Sequence, residues 1–331
     1  MYKDATVGVV IPAYNESAFI GEVIETVPGY VDRVYAVDDG STDRTWEEMQ
    51  QAAWNVNERA EPAASTAPDG GATISRQVVT VRHDDNQGVG AAITTGYRQA
   101  LEDGVDVVAV MNGDGQMDPG ILSRILDPVV EGEADYAKGN RLSSAEHRRP
   151  MSRWRLFGNV TLTALSRIAS GYWGMTDPQN GYTAISREAL LALDLDVLYD
   201  HYGFCNDMLV RLNAAGLRVA DVPMHAIYGD EESHIRYKSF VPLLSWLLLT
   251  GFLWRLRTTY LDGGVHPLAA LYTVGTVGLV GGILGVGWWL ATGGESGGLT
   301  AASTALLVGW VVLALAMVIE WRNNGDLEVH K

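Results

Sequence analysis

The sequence predicts an α/β domain with a mainly parallel sheet, followed by a C-terminal hairpin of two transmembrane helices. Two observations carry this fold class. Strand-like and helix-like segments alternate from residue 6 to residue 137, which is typical of a sheet covered by crossover helices. Two long apolar runs without a charged residue then follow, at 268–290 and 299–319.

The α/β half consists of short apolar strands and the helices between them. Segments with the length and apolar character of buried strands lie at residues 6–11, 33–37, 78–82, 105–111 and 136–137. Helical patterns follow the first four of these strands, at residues 17–27, 43–53, 88–102 and 119–130. Asp118 before Pro119 is ordinary helix-start chemistry. Residues 55–75, rich in Ala, Pro, Gly, Ser and Glu, interrupt the rhythm and predict an exposed insertion.

Each apolar run is long enough to cross a bilayer core of about 30 Å, which takes roughly 20 helical residues. Because only residues 291–298 connect the runs, the two helices must form a hairpin. In the first run, Gly278 with Gly282 and Gly281 with Gly285 have the spacing that lets helices approach closely. Ordinary glycine enrichment of membrane helices produces the same spacing, so the sequence leaves homo-oligomerisation through these helices open.

The charges around the hairpin predict its orientation. Arg255 and Arg257 precede the first run and Arg322 follows the second, whereas the connecting loop carries Glu295 and no cation. By the positive-inside rule, both ends of the hairpin lie in the cytoplasm. The predicted multi-pass cell-membrane protein has a cytoplasmic domain at 1–239, an interfacial juxtamembrane helix at 240–262, the two spans and a cytoplasmic tail at 320–331.

The composition excludes several classes of protein. Against 40 Asp and Glu residues stand 24 Lys and Arg residues, and the net charge of −16 would repel the backbone of DNA or RNA. The single cysteine, Cys205, forms neither an intramolecular disulfide nor a cysteine cluster for zinc, which favours a reducing compartment. Acidity combined with few lysines is typical of halophilic archaeal proteins, with an acidic mesophilic protein as the alternative.

Two common nucleotide-binding motifs are missing from the sequence. Gly88 and Gly90 form only G-x-G, and they follow the third predicted strand, whereas a dinucleotide fold needs G-x-G-x-x-G after its first strand. None of the lysines lies in a Walker A sequence. The dehydrogenase, kinase and ATPase classes therefore lack their motifs.

Four strings instead follow the predicted strands in order: VVIPAYNE at 9–16, VDDGSTDRT at 37–45, NQGVGAAITTG at 86–96 and NGDGQMDP at 112–119. This set resembles the family 2 glycosyltransferases with the GT-A fold, over residues 6–240. The strings KGNR at 138–141 and DPQNGYTAIS at 177–186, with the two-helix tail, resemble the dolichol-phosphate mannose/glucose synthase branch. The resemblance implies direct, inverting transfer of one hexose from a nucleotide-diphosphate sugar to a polyprenyl or dolichyl phosphate, for glycan assembly.

The resemblance also implies a nucleotide site in the loops at the carboxyl ends of the strands, where α/β sheets bind their ligands. The matching residues are Pro12, Tyr14, Asn15, Glu16, Asp38, Asp39, Asn86, Gly88, Asn112 and Gly113. Carboxylates there accept hydrogen bonds from base N–H groups or ribose hydroxyls. Turn and helix-cap chemistry is the structural alternative for these residues.

A divalent cation, Mg²⁺ or Mn²⁺, is expected where the diphosphate leaves, because it neutralises the developing charge. Asp114 is the principal predicted ligand, with Gln116 and Asn112 beside it. Members of the family typically carry aspartate at the position of Asn112. The missing carboxylate leaves the metal affinity and the role of Asn112 open, and a simple glycine-rich turn is the alternative.

Arginines after the fifth strand predict a site for the acceptor phosphate, which a guanidinium binds through two hydrogen bonds. They are Arg141, Arg148, Arg149 and Arg153. Solvated arginines or contacts with anionic lipid headgroups are the alternative. His234 and Lys238 match a segment that closes over the donor diphosphate in relatives, although a juxtamembrane basic cluster has the same composition.

Asp207, in the string FCND, matches the catalytic position where relatives place a base toward a sugar hydroxyl. A phosphate acceptor is already an anionic nucleophile, so Asp207 has only an orienting role in that reaction. Transfer onto a lipid-linked saccharide would require it as a base. A membrane-tethered nucleotide-sugar binder without turnover is the alternative outside the enzymes. UDP and GDP donors, and the identity of the hexose, are not distinguished by the sequence.

Overall fold

The computed structural model describes residues 1–60, 77–142, 153–224, 237–262, 264 and 266–330. Within these residues the strands form one eight-stranded sheet in the order β3-β2-β1-β4-β6-β5-β7-β8. The strands are β1 (Val7–Ala13), β2 (Arg33–Asp38), β3 (Gln77–Arg82), β4 (Val107–Val110), β5 (Tyr136–Asn140), β6 (Thr183–Ser186), β7 (Val219–Pro223) and β8 (Glu328–His330).

The sheet is mainly parallel, as predicted. Strand β6 runs antiparallel to β4 and β5, and the other neighbouring pairs are parallel. The five predicted strands are present with adjusted bounds, whereas β6, β7 and β8 were not predicted. They are short, and the sequence of β7, VADVP, places a polar and an imino residue inside the strand.

The described helices are α1 (Ile20–Thr26), α2 (Thr45–Ala60), α3 (Val89–Glu102), α4 (Leu122–Val130), α5 (Arg153–Ser170), α6 (Arg187–Ala192), α7 (Phe204–Ala214), α8 (Tyr237–Tyr260), α9 (Pro267–Thr292) and α10 (Ser296–Asn323). Helix α2 continues through residues 55–60, which were expected to begin the exposed insertion. Val56 is buried, and the Asn57 side chain bonds the N–H and C=O of Val78 at 2.8 and 3.0 Å. These contacts hold the last turns of α2 against β3. The rest of the predicted insertion, from 61 to 75, lies outside the described residues.

Alternating side chains of the central strands divide the core into two layers. Val9 and Ile11 of β1 belong to the layer that contains residues of α1, α2 and α4, whereas Val10 belongs to the layer with residues of α3 and α7. Gly96 of α3 lies directly over this strand, since a Cβ there would come within 2.4 Å of Val10 Cγ1. The close approach of α3 sets the position of the NQGVG segment at its start.

Helices α9 and α10 are the two, within the described part of the chain, that are long and apolar enough to cross a membrane. They pack tightly along each other through glycines of α9. A Cβ on Gly278 would lie 3.0 Å from Gly309 Cα, and one on Gly282 would lie 2.5 Å from the backbone nitrogen of Leu306. Gly281, by contrast, has no such neighbour within 4 Å. The Gly278 and Gly282 spacing therefore serves packing inside the hairpin.

The chain that leaves the hairpin returns to the sheet. Strand β8 pairs in parallel with β7, with Glu328 opposite Val219 and His330 opposite Asp221. Gly174 N donates to Glu328 Oε2 at 2.7 Å, which attaches the same segment to the loop after α5. Both ends of the hairpin consequently lie on the side of the α/β domain.

Candidate active site

The loops after β1 and β2 are connected by short polar contacts. Asn15 N donates to Ser41 Oγ at 2.9 Å, Asn15 Oδ1 accepts from Thr42 N at 2.9 Å, and Glu16 N donates to Thr45 Oγ1 at 2.7 Å. Asn15 has a φ of +58°, in the left-handed region that asparagine tolerates better than most residues. The predicted nucleotide residues in PAYNE and DDGSTD therefore form one connected surface, with Tyr14 on it 43% exposed.

Asp38 and Asp39 are buried at the end of β2, and each already has protein partners. Asp38 accepts from Ser41 N at 3.1 Å and pairs with Arg82 Nε at 3.1 Å. Asp39 lies 2.8 Å from His83 Nδ1. It also accepts from the backbone nitrogens of Gln87 and Gly88, at 3.0 and 2.8 Å. Both carboxylates thus shape the loops of the predicted site, and Asp39 brings the 86–88 segment to it.

A further loop, which sequence reasoning missed, closes this side of the site. The carbonyl of Asp200 accepts from Gly90 N at 2.6 Å and Ala91 N at 3.2 Å, so it caps the start of α3. Gly88 has a φ of +106°, and a Cβ on it would lie 2.3 Å from His201 Nδ1. The sequence contained no motif for this contact, because it joins segments that lie more than a hundred residues apart.

The Asp114 turn rests on the end of β1. Gly113 N donates to Pro12 O at 3.0 Å, and a Cβ on Gly113 would lie 3.0 Å from Ala13 Cβ, so glycine permits this approach. Asp114 Oδ1 accepts from Gln116 N at 3.0 Å, which tightens the turn. The structure therefore brings Asp114, Gln116 and Asn112 together beside the nucleotide loops.

The donor set of this turn fits Mg²⁺ or Mn²⁺, which prefer carboxylate and amide oxygens. Asp114 would supply the carboxylate, and Gln116 and Asn112 amide oxygens. Across the described residues, no group of three His, Cys, Asp or Glu side chains is placed to hold a metal ion. A cation at this turn would therefore take further ligands from the diphosphate of the donor.

Arg141, at the end of β5, is held by Asp177. Its Nε and Nη2 donate to the two carboxylate oxygens at 2.8 and 2.9 Å, and its backbone nitrogen donates to Oδ2 at 3.0 Å. Burial by itself raises the pKa of Asp177, but the hydrogen bonds and charge of Arg141, with the charge of Lys138, outweigh burial and lower it. The Arg141 side chain remains 37% exposed, and these hydrogen bonds fix its orientation at the end of β5.

Asp221 of β7 connects the motifs KGNR and DPQN, and sequence reasoning missed it. The Lys138 ammonium lies 2.6 Å from Asp221 Oδ1 and also donates to the carbonyls of Thr176 and Asp177. Asp221 Oδ2 accepts from Asn140 Nδ2 at 3.1 Å and from Thr176 N at 2.9 Å. This network holds the turn that carries Asp177. In the sequence, Asp221 could have been noticed as an aspartate within the otherwise apolar strand β7.

Asp207 lies buried on α7 and is ion-paired. Its Oδ2 accepts from Arg211 Nε at 2.8 Å and from Tyr199 N at 3.1 Å. One carboxylate oxygen of Asp207 is therefore already engaged by two donors. Of the remaining predicted residues, Arg148, Arg149 and His234 lie outside the described residues. Arg153 begins α5 and Lys238 lies in the first turn of α8, and the structure does not describe their side chains.

Residues 8–193 match the family model described as Glycosyl transferase family 2. The chain belongs to glycosyltransferase family 2. The chain is 28% identical over 228 residues to the UDP-N-acetylglucosamine–dolichyl-phosphate N-acetylglucosaminyltransferase of Methanococcus voltae, covering 69% of this chain and 88% of that protein. It is 32% identical over 222 residues to the polyprenol monophosphomannose synthase of Mycolicibacterium smegmatis, covering 65% of this chain and 75% of that one.

The fold of this glycosyltransferase is also found in solved structures. Glucosyl-3-phosphoglycerate synthase from Mycobacterium tuberculosis, crystallised with Mn²⁺, UDP and glucosyl-3-phosphoglycerate, has a TM-score of 0.53 to the chain at 20% identity. The match covers 76% of this chain and 80% of that one. The GT-A fold and the family predicted from the motifs are therefore confirmed.

The depressed pKa of Asp177 predicts a pH-dependent contribution to stability. Its carboxylate stabilises the fold fully above the ordinary pKa of 3.8, and this contribution is lost as the pH falls through the lower folded-state value. Thermal unfolding should therefore show a lower Tm for Asp177→Asn near neutral pH, with the gap closing only as the pH falls below 3.8 through the folded-state pKa. Asp196→Asn, at a side chain that is 84% exposed, is the control. A gap that stays constant with pH would contradict the assignment.

Proposed function

We propose that this family 2 glycosyltransferase moves one hexose from a UDP- or GDP-linked sugar to a polyprenyl or dolichyl phosphate at the cytoplasmic face of the membrane. The observation that carries the proposal is the orientation of Arg141 by Asp177 in a domain that is continuous with a membrane hairpin. The relatives from Methanococcus voltae and Mycolicibacterium smegmatis, which are named for dolichyl phosphate and polyprenol products, support the same acceptor class.

The proposed reaction is a direct displacement. An oxygen of the acceptor phosphate attacks the anomeric carbon of the sugar while the bond from that carbon to the donor diphosphate breaks, and this inverts the anomeric centre. The nucleoside diphosphate leaves with the bonding electrons. Since the acceptor is already anionic, the reaction needs a cation to bind it more than it needs a base. Arg141 is suited to that role because Asp177 fixes its guanidinium before the acceptor arrives.

The donor side holds the leaving group. The surface formed by Asn15, Glu16, Asp39 and the 86–88 segment would bind the nucleoside, and Asp114 with Gln116 and Asn112 would hold Mg²⁺ or Mn²⁺. When bound, this cation stabilises the negative charge that develops on the diphosphate. The solved relative that contains Mn²⁺ and UDP supports divalent-metal use in this fold.

The ion pair of Asp207 with Arg211 weighs against a saccharide acceptor. A sugar hydroxyl must lose a proton during attack, and Asp207 Oδ2 already accepts hydrogen bonds from Arg211 Nε and Tyr199 N. Transfer of labelled sugar from the nucleotide to lipid distinguishes an enzyme from a protein that only binds nucleotide sugars.

The first prediction from the proposed function concerns the metal. Asp114→Ala should lower transfer by about 10²-fold or more, because it removes a group that stabilises charge in the transition state. Transfer of radiolabelled sugar to dolichyl phosphate, with and without Mg²⁺ or Mn²⁺, is the measurement. Asp196→Ala, at an exposed turn, is the matched control and should leave transfer unchanged. Full activity in excess EDTA would rule out the proposed metal.

The second prediction separates the two acceptor classes. Neutralising Arg141 or Arg149 should raise the acceptor KM or lower turnover, with donor binding nearly intact. Asp207→Asn should lower transfer less than Asp114→Asn does. Arg141→Lys tests whether charge alone suffices. A saccharide acceptor predicts the opposite order, in which Asp207→Asn lowers the rate of transfer by about 10² to 10⁴-fold. No transfer to dolichyl phosphate, together with a severe Asp207 defect on a lipid-linked saccharide, would make the proposed acceptor wrong.

The third prediction concerns orientation. Burial raises the pKa of the native Cys205 thiol to about 11, and the Cys205→Ser background removes its residual reactivity. In that background, Ser296→Cys should react with a membrane-impermeant maleimide added to whole cells, because residue 296 begins α10 at the far end of the hairpin. A cysteine appended after Lys331 should react only after lysis. The reverse pattern would place the catalytic domain outside.

A further inference from the structure

A fully buried ion pair joins the membrane hairpin to the catalytic domain. Arg255 of α8 and Glu320 of α10 are both 0% exposed, with Nη1 to Oε1 at 2.7 Å and Nη2 to Oε2 at 3.3 Å. Glu320 also accepts from the hydroxyls of Tyr260 and Tyr272, at 2.9 and 2.8 Å. One carboxylate thus connects the ends of α8, α9 and α10. Nothing in the proposed reaction uses it.

The guanidinium of the pair reaches into the catalytic domain. Arg255 Nε donates to the carbonyl of Ala169 at 2.9 Å and Nη2 to that of Ile168 at 3.2 Å, at the C-terminal end of α5. A cation is favourable there because the last helical carbonyls carry partial negative charge. Arg255 Nη1 donates to Asn213 Oδ1 of α7 at 3.3 Å. Helix α5 begins at Arg153, among the predicted acceptor arginines, and α7 carries Asp207.

Residues next to Arg255 and Glu320 make further contacts with the catalytic domain. Trp254, the residue before Arg255, lies with its ring 5.0 Å from the guanidinium of Arg211, which pairs with Asp207. Trp254 and Arg255 of α8 therefore contact Arg211 and Asn213 of α7, respectively. Asn324, just after α10, donates to the carbonyl of Gly171 at 2.9 Å, and β8 then joins the sheet.

The chemistry of the pair indicates a positioning role. A buried ion pair recovers its desolvation cost only when further hydrogen bonds satisfy it, and apolar residues of similar size are often equally stabilising. In some proteins such a pair instead specifies one arrangement of the elements that it joins. We propose that Arg255 and Glu320 are positioning residues that fix α5 and α7 relative to the hairpin, so that the hairpin contributes to acceptor use as well as to anchoring. This inference rests on the proposed acceptor.

The test uses the full chain in lipid nanodiscs, with dolichyl phosphate as acceptor. The double variant Arg255→Met/Glu320→Leu removes both charges, so no unpaired charge stays buried, and it should fold with a Tm near that of the unaltered chain. It loses the bonds to α5 and α7. We expect its acceptor kcat/KM to fall about 10 to 10²-fold, the size of effect that a small misplacement of reacting groups produces, while the donor Kd stays within about twofold.

Two variants serve as comparisons. Arg257→Met/Asp262→Asn removes a pair on the same part of the chain that is 74% and 54% exposed, and it should leave every measurement unchanged. Tyr272→Phe removes one hydrogen bond to Glu320 and keeps both charges, so it should raise the acceptor KM about two- to threefold. This variant decides the matter if the double variant does not fold.

Amide hydrogen exchange provides a readout that does not depend on transfer. In Glu320→Gln, exchange should accelerate at the end of α5, near residues 168–171, and around Asn213, relative to the exposed-pair control. Unaltered acceptor kinetics in the double variant and in Tyr272→Phe, together with unaltered exchange in Glu320→Gln, would overturn the inference. If the unaltered chain transfers sugar to no polyprenyl phosphate, the proposed function is wrong. The exchange measurement then tests by itself whether Arg255 and Glu320 hold α5 and α7.

Discussion

The arrangement of this glycosyltransferase depends on parallel strands that end at one edge of the sheet. Strands β3, β2, β1 and β4 all direct their carboxyl ends there, so the polar loops that follow them are crowded together. Buried polar groups must be hydrogen-bonded, and these loops satisfy one another. Asp38 and Asp39 illustrate the result, because Asp38 pairs with Arg82 at the end of β3 and Asp39 accepts from Gly88 N.

The residues proposed to bind the acceptor are arranged differently. They are built around charge pairs, in which Lys138 meets Asp221 and Arg141 meets Asp177 on adjacent segments. Because Asp177 is buried, its charge is stable only beside these cations, and the exposed part of Arg141 is thereby held still. Asp207 has the same kind of partner in Arg211. Asp177 and Asp207 are thus both ion-paired with an arginine.

The membrane hairpin is part of the same structure. Glycines on α9 bring its backbone against α10, and Arg255 and Glu320 join the two helices to α5 and α7. The chain then ends on the sheet through β8. The α/β domain thus contacts the hairpin at several points. The hairpin and the α/β domain are therefore connected through the same helix ends.

The sequence by itself determined the α/β class, the hairpin and the family motifs that follow the strands, because apolar period, span length and ordered motifs are local properties of the chain. It did not determine β6, β7 and β8, which are too short or too polar to be recognised without their neighbours. Nor did it identify Asp221, Asp200 or the pair of Arg255 with Glu320. These residues acquire their roles only where distant segments meet, and the desolvation that makes their contacts specific exists only in the folded chain.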